Sequence, residues 1–264
     1  MAGHAPSLIN FRGPLIAEMV RRGWRVLAVA PDIDADTGAQ LAALGARAKS
    51  MPLARTGMNP LRDLAYYRAL VQLFRKEQPN VLLAYTIKPV IWGLFAARAA
   101  GVPATVALIT GLGYAFTDGV RSGLKRLLAV GAASTLYRFA LRRADRVLFQ
   151  NPDDRDLFLS RGLVRDHGQI AVVDGSGVDL DYYARADLPA EPVFLMIGRL
   201  LGAKGVREYA AAAIELKKRH PEARFQLVGW RDPGPDSVTE GELEVWIKGG
   251  VEYLGQLSDV RPAI

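Results

Sequence analysis

The 264-residue sequence contains no cysteine. That excludes disulfides and any zinc or iron–sulfur site built on thiolates, and it is compatible with a cytoplasmic setting. Histidine is scarce, and His4, His167 and His220 lie too far apart to give metal-ligand spacing. No charge-free apolar run reaches the roughly 18 residues of a membrane-spanning helix. The N-terminus lacks the basic region and apolar stretch of a signal peptide. Short-period repeats, low-complexity tracts, Walker A spacing and a GxGxxG fingerprint are also missing. No helix-turn-helix, zinc-finger or RRM pattern is found, so nucleic acid is not an expected partner.

What remains is the balance of a globular α/β protein, 50% hydrophobic and 23% charged, with a net charge of +7. A basic chain suits phosphorylated substrates, an anionic membrane surface or nucleic acid, and composition alone does not choose among them. Strand-like and helix-like segments alternate throughout. Apolar runs at Val26–Ala30, Val81–Tyr85, Ala104–Thr110 and Val147–Gln150 read as buried parallel strands. Helices are predicted over Leu61–Lys76 (opened by Asn59-Pro60), Val90–Ala100 (closed by Gly101) and beyond Asn151-Pro152. After a Pro-containing linker at Asp187–Pro192, a fresh unit runs strand Val193–Ile197, helix Val206–Arg219, strand Arg224–Val228. Such βαβ units predict parallel sheets with helices on both faces. The expected division is residues 1–186 and 187–264. A helix over Arg12–Arg22 precedes Val26–Ala30, so the first sheet calls for a strand before it, and only Met1–Ala5 is available. A truncated first strand and an incomplete second domain are therefore expected.

Several segments at strand ends carry candidate chemistry. Gly198-Arg199-Leu200-Leu201-Gly202-Ala203-Lys204-Gly205 joins a strand to a helix. Its glycines allow close approach of a phosphate, and Arg199 and Lys204 add two charges suited to a diphosphate. The alternative is an ordinary βα loop with solvated cations. Gly175-Ser176-Gly177-Val178-Asp179 reads as a tight turn beside a ligand crevice, or simply as a turn capped by its Asp. Tyr85-Thr86-Ile87-Lys88-Pro89 and Thr110-Gly111-Leu112-Gly113-Tyr114 follow strands at the edge where open α/β sheets bind ligands. Asp32-Ile33-Asp34-Ala35-Asp36 is expected to cap a helix rather than hold a metal.

Taken in order, these segments resemble the family-four glycosyltransferases of GT-B fold. Ala5–Leu15 is similar to the first loop of that family. Thr86-Ile87-Lys88-Pro89 and Ile109-Thr110-Gly111-Leu112-Gly113 are similar to the subgroup acting on polyprenyl-diphosphate-linked glycans. Phe149-Gln150-Asn151, Ser176–Asp179 and Gly198–Gly205 follow in the expected places. The resemblance implies a retaining transferase that moves a hexose or N-acetylhexosamine from a nucleoside-diphosphate sugar to a lipid-linked glycan, in surface polysaccharide (including lipopolysaccharide) biosynthesis. No cofactor and no metal are expected. It implies that Arg199 and Lys204 are catalytic, and that Gly13, Gly198, Arg199, Lys204 and Gly205 hold the donor diphosphate. Asn10, Lys88, Thr110, Gly111 and Gly113 fall on the acceptor side. The family's Glu-x7-Glu donor grip is expected beyond Ile264, so this chain is expected to have little activity alone.

The basic amphipathic stretch Ser122–Arg143 reads as a membrane-surface element or as an internal helix with solvated cations. With lipid-linked acceptors, the first reading places the protein in the cytoplasm, peripheral on the inner face of the plasma membrane. The rivals are a sugar-nucleotide 2-epimerase of the same architecture and a fragment that binds nucleotide or membrane without turnover.

Overall fold

A computed structural model describes residues 1–54, 59–111, 124–164, 167–231 and 236–264, with the backbone alone described at 124–130, 132, 133 and 167. The chain divides into two units, Met1–Val178 and Asp179–Ile264. The boundary expected after residue 186 lies further along the exposed stretch 174–192.

Unit 1 alternates helix and strand: α1 (Pro6–Asn10), α2 (Gly13–Arg21), β1 (Leu27–Ala30), α3 (Ala35–Ala43), β2 (Arg47–Ser50), α4 (Pro60–Glu77), β3 (Val81–Tyr85), α5 (Ile87–Ala100), β4 (Ala104–Ile109), α6 (Leu124–Leu141), β5 (Arg146–Phe149), α7 (Pro152–Ser160) and β6 (Ile170–Val172). Polar caps set several boundaries. The Asn59 side chain accepts from Leu61 N and Arg62 N at the start of α4, Asn151 from Asp154 N at the start of α7, and Asp34 from Thr37 N at the start of α3. The Asp32–Asp36 run is thus used in helix initiation. Gly101, at φ +73°, ends α5 in the left-handed conformation.

All strand pairs are parallel, in the orders β1-β2 and β3-β4-β5-β6. The gap between these two sets is filled by Met1–Ala2. Met1 N donates to Leu83 O at 2.7 Å, Tyr85 N donates to Met1 O at 3.1 Å, and Ala2 N donates to Val29 O at 2.8 Å. Met1–Ala2 thus bridge the two sets where the sequence calls for a strand ahead of α2. The order across the two sets runs β2-β1-Met1/Ala2-β3-β4-β5-β6, so connections diverge beside Met1–Ala2. That divergence is the topological switch point of an open α/β sheet. Two apolar clusters cover the faces. One contains Leu70, Leu94, Phe149 and Phe158, the other Leu8, Ile16, Leu41 and Tyr85.

Unit 2 has β7 (Val193–Ile197), α8 (Val206–Arg219), β8 (Arg224–Val228), α9 (Glu240–Lys248) and β9 (Val251–Gly255), with a parallel sheet of order β7-β8-β9. Its core gathers Leu200, Val206, Phe225, Leu227 and Trp246. Helix α9 was not anticipated from the sequence. Its signal is nonetheless present, because Thr239 and Glu242 form a reciprocal capping box.

Candidate functional site

Arg12 lies against the carboxyl end of β3 and the turn that follows β6. This residue sits at the start of α2, immediately before Gly13-Pro14, and is only 6% exposed. Its guanidinium lies over the Tyr85 ring, 5.0 Å from the centroid, at the end of β3. Nη1 donates to Ser176 Oγ at 2.6 Å and to Phe11 O at 2.8 Å, while Nε is buried and has no acceptor. Among the described residues no carboxylate pairs with it. Burial pulls Arg12 below its ordinary pKa, with Tyr85 opposing, but a guanidinium keeps its charge. Tyr85 is pushed up by burial, opposed by its hydrogen bond with Ser7 and by the Arg12 charge.

Three further features border this point. Thr86, next after β3, holds φ +69° and ψ 149°, a costly conformation for a β-branched residue. Its Oγ1 is buried without a partner. Gly3 leaves room beside that hydroxyl, since a Cβ there would come within 2.7 Å of it. Ser176 lies in a turn whose glycines, Gly175 and Gly177, both adopt positive φ, and it also receives a hydrogen bond from Gln150 Nε2 at 3.3 Å. Downstream, Asp179 Oδ1 accepts from Asp181 N and Tyr182 N, so this segment is also an Asp-capped turn.

The residues proposed from sequence for unit 1 are placed unequally. Gly13 is buried at the first position of α2, and Asn10 is exposed at the end of α1. Thr110 is exposed and Gly111 half-buried at φ +136° after β4, whereas Gly113 lies outside the described residues. Lys88 is engaged by its own fold. Its Nζ donates to Asp63 Oδ1 at 2.8 Å, with the two side chains 14% and 10% exposed. This pair ties the first turn of α5 to that of α4. Arg12 and Thr86 went unassigned in the sequence because neither burial nor backbone strain is visible in it.

In unit 2 the Gly198–Gly205 loop is rigidly held. Buried Leu200 anchors it through Leu200 N to Trp230 O at 3.0 Å. Gly202 N donates to Asp236 O at 3.0 Å and Ala203 N to Asp236 Oδ2 at 2.7 Å. Arg207 bridges Asp236 and Glu242 behind it. Most of the loop amides are therefore already occupied: Leu201 N, Lys204 N and Gly205 N also bond within the loop. An anion here has to be met by the exposed side chains of Arg199 and Lys204 rather than by a nest of free amides. Gly198 and Gly205 keep the flanks of the loop free of side chain, with Gly205 left-handed at the start of α8. The strands below also end in glycine. A Cβ on Gly229 would fall 1.8 Å from Gly198 O.

Residues 12–174 match the family described as Glycosyl transferase 4-like domain. The chain is 27% identical over 96% of its length to an N,N'-diacetylbacillosaminyl-diphospho-undecaprenol alpha-1,3-N-acetylgalactosaminyltransferase of Campylobacter jejuni, covering 68% of that protein. It is 26% identical over 81% of its length to a UDP-Gal:alpha-D-GlcNAc-diphosphoundecaprenol alpha-1,3-galactosyltransferase of Escherichia coli, covering 57% of it. Among solved structures, a glycosyltransferase from Rickettsia africae aligns over 100% of this chain and 68% of its own, with TM-score 0.65 and 14% identity. A putative UDP-N-acetylglucosamine 2-epimerase from Listeria monocytogenes aligns over 100% of this chain and 70% of its own, with TM-score 0.62 and 13% identity. These structures share the fold, an α/β architecture of GT-B type with parallel sheets.

Proposed function

Because the chain belongs to the glycosyl transferase 4-like family, we propose that it is a retaining glycosyltransferase that transfers a hexose or N-acetylhexosamine from a UDP-sugar to a polyprenyl-diphosphate-linked glycan. The observation that carries this reading is the pair of curated relatives. Both names describe alpha-1,3 transfer onto a sugar borne on diphospho-undecaprenol, one of galactose and one of N-acetylgalactosamine. The expected context is synthesis of a surface polysaccharide, lipopolysaccharide among the candidates.

Arg199 and Lys204 meet the donor diphosphate and stabilise the charge that develops on it as the glycosidic bond breaks. The rigid loop supports this role, because charges held in place before the reaction need no reorganisation during it. Gly13 admits the donor phosphate to the start of α2. Asn10, Thr110 and Gly111 line the acceptor side, with Lys88 positioned there by Asp63, and Gly113, outside the described residues, is assigned an acceptor role from the sequence alone. No metal takes part, so transfer persists in EDTA. The protein works at the inner face of the plasma membrane as a peripheral protein. Among the described residues no helix is long and apolar enough to cross a membrane. The described end of α6 and the residues after it leave Arg138, Phe139 and Arg143 exposed.

The test is transfer of galactose or N-acetylgalactosamine from its UDP-sugar to a synthetic sugar-diphosphoprenol, with product linkage read by NMR. In the full-length protein, Arg199→Ala and Lys204→Ala are each expected to lower turnover about 100-fold or more. Turnover at the parent rate in either variant removes that residue from the mechanism. The likeness to a 2-epimerase structure keeps one rival in view. Release of an epimerised sugar nucleotide with no acceptor present decides for that rival.

A further inference from the structure

Among the described residues, Arg12 is a charge buried without a counter-charge. A buried guanidinium is ordinarily matched by a carboxylate, because desolvation of an unmatched ion is costly. Here the matching groups are two neutral oxygens and one aromatic face, and Nε–H points to no acceptor. The position compounds the observation. Arg12 precedes the first turn of α2, a nine-residue helix whose N-terminus has no side-chain cap. Partial positive charge and uncapped amides therefore lie next to a full positive charge. Another buried group without a partner, Thr86 Oγ1, follows the very residue on which Arg12 stacks. Both lie at the switch point of the sheet, where Thr86 Oγ1 packs closely against Gly3.

We propose that Arg12 is the anion-binding residue of unit 1 and takes a diphosphate ester at this switch point, with Thr86 Oγ1 as a neighbouring hydrogen-bond donor. This deepens the transferase reading and rests on it for the identity of the ester. The shared chemistry is a diphosphate, supplied either by the sugar donor or by the prenyl-linked acceptor. Ser176 holds Nη1 meanwhile. It keeps the guanidinium oriented, and it links this site to the Gly175–Gly177 turn that leads into unit 2.

The experiment follows the Arg12 Nε–Hε resonance, assigned by its loss in Arg12→Lys, during titration of the 264-residue protein with inorganic pyrophosphate. It is expected to move downfield as Nε gains an acceptor. Calorimetry in an Arg199→Ala/Lys204→Ala background, which removes the loop charges of unit 2, is expected to show about tenfold or more weaker pyrophosphate binding on adding Arg12→Gln. UDP-galactose and farnesyl diphosphate are titrated in parallel. Loss of affinity toward the first identifies the donor as the source of the diphosphate, and loss toward the second identifies the acceptor. Affinity unchanged toward both overturns the proposal. So does a resonance that stays put at saturating pyrophosphate in the parent protein, where Arg12→Lys serves for the assignment alone. A stationary resonance with intact sugar transfer overturns this site alone. A shifted resonance together with release of an epimerised sugar nucleotide in place of transfer upholds the site and removes the transferase reading.

Discussion

At Gly13 the backbone is helical, and a Cβ would meet only Leu44 Cδ1, at 3.8 Å. At Gly229 the φ is +151°, and a Cβ would sit 1.8 Å from a backbone oxygen. The two glycines therefore predict opposite outcomes. Gly13→Ala should leave the unfolding midpoint of the protein unchanged, since alanine fits both the space and the helix. If the glycine is there to admit a phosphate, transfer should nonetheless fall about tenfold or more. Gly229→Ala should destabilise unit 2 by about 3 kcal/mol or more in denaturant unfolding, because strand ends and backbone must both shift. Along the chain both are simply glycine, and only Gly13 draws a role from the sequence. The distinction arises from what surrounds each one in space.

Between elements, two connections predict measurable behaviour. Glu242 closes the α9 capping box and pairs with Arg207, and its carboxyl is pulled down to about 2, chiefly by the Arg207 hydrogen bond and then by Thr239. Because its folded pKa lies below the ordinary value of 4.5, its stabilisation is complete above that pH and is lost as pH falls toward 2. Denaturant midpoints measured between neutral pH and pH ~3 should fall more steeply for the parent than for Glu242→Gln. Thr239→Ala should cost about 1 kcal/mol at neutral pH. The second connection is Lys88–Asp63, between α4 and α5. Lys88→Met leaves a buried carboxylate unmatched and should destabilise unit 1 by about 3 kcal/mol, whereas adding Asp63→Leu should restore most of it. Transfer by the restored double variant then measures what Lys88 contributes beyond the pair.

For the molecule as a whole, the excess of +7 charges is the property that composition fixes. If the protein works at a bilayer surface, it should float with phosphatidylglycerol vesicles at low salt, remain unbound to neutral phosphatidylcholine, and come off by about 0.5 M salt as charges are screened. Equal binding to neutral vesicles would sink an electrostatic recruitment. Residues 121–123 of the basic stretch lie outside the description of the structure, and the side chains of 124–130 are not described. Its described end is divided in role. Tyr137, Ala140 and Leu141 enter the core, and Arg138 and Phe139 face outward. The described end thus packs as an internal helix, and the membrane-surface reading is what the vesicle assay tests.

By itself the sequence determined the order and bounds of most elements. Val81–Tyr85, Val193–Ile197, Val206–Arg219 and Arg224–Val228 form where apolar runs and helical periodicity placed them. Caps such as Asn59 and Asn151 act through residues two or three positions away, so they can be read along the chain. The ordered motifs likewise indicated the family, which the match over residues 12–174 bears out. Tertiary structure alone decided what depends on distant partners. It inserted Met1–Ala2 between β1 and β3, turned Lys88 onto Asp63, occupied the loop amides of unit 2 with Asp236, and buried Arg12 against Tyr85 and Ser176, residues 164 positions apart in the last case. Local propensity is set by neighbours in sequence. The cost of burying a charge is set by whatever the fold brings around it, and among the described residues no anion meets Arg12.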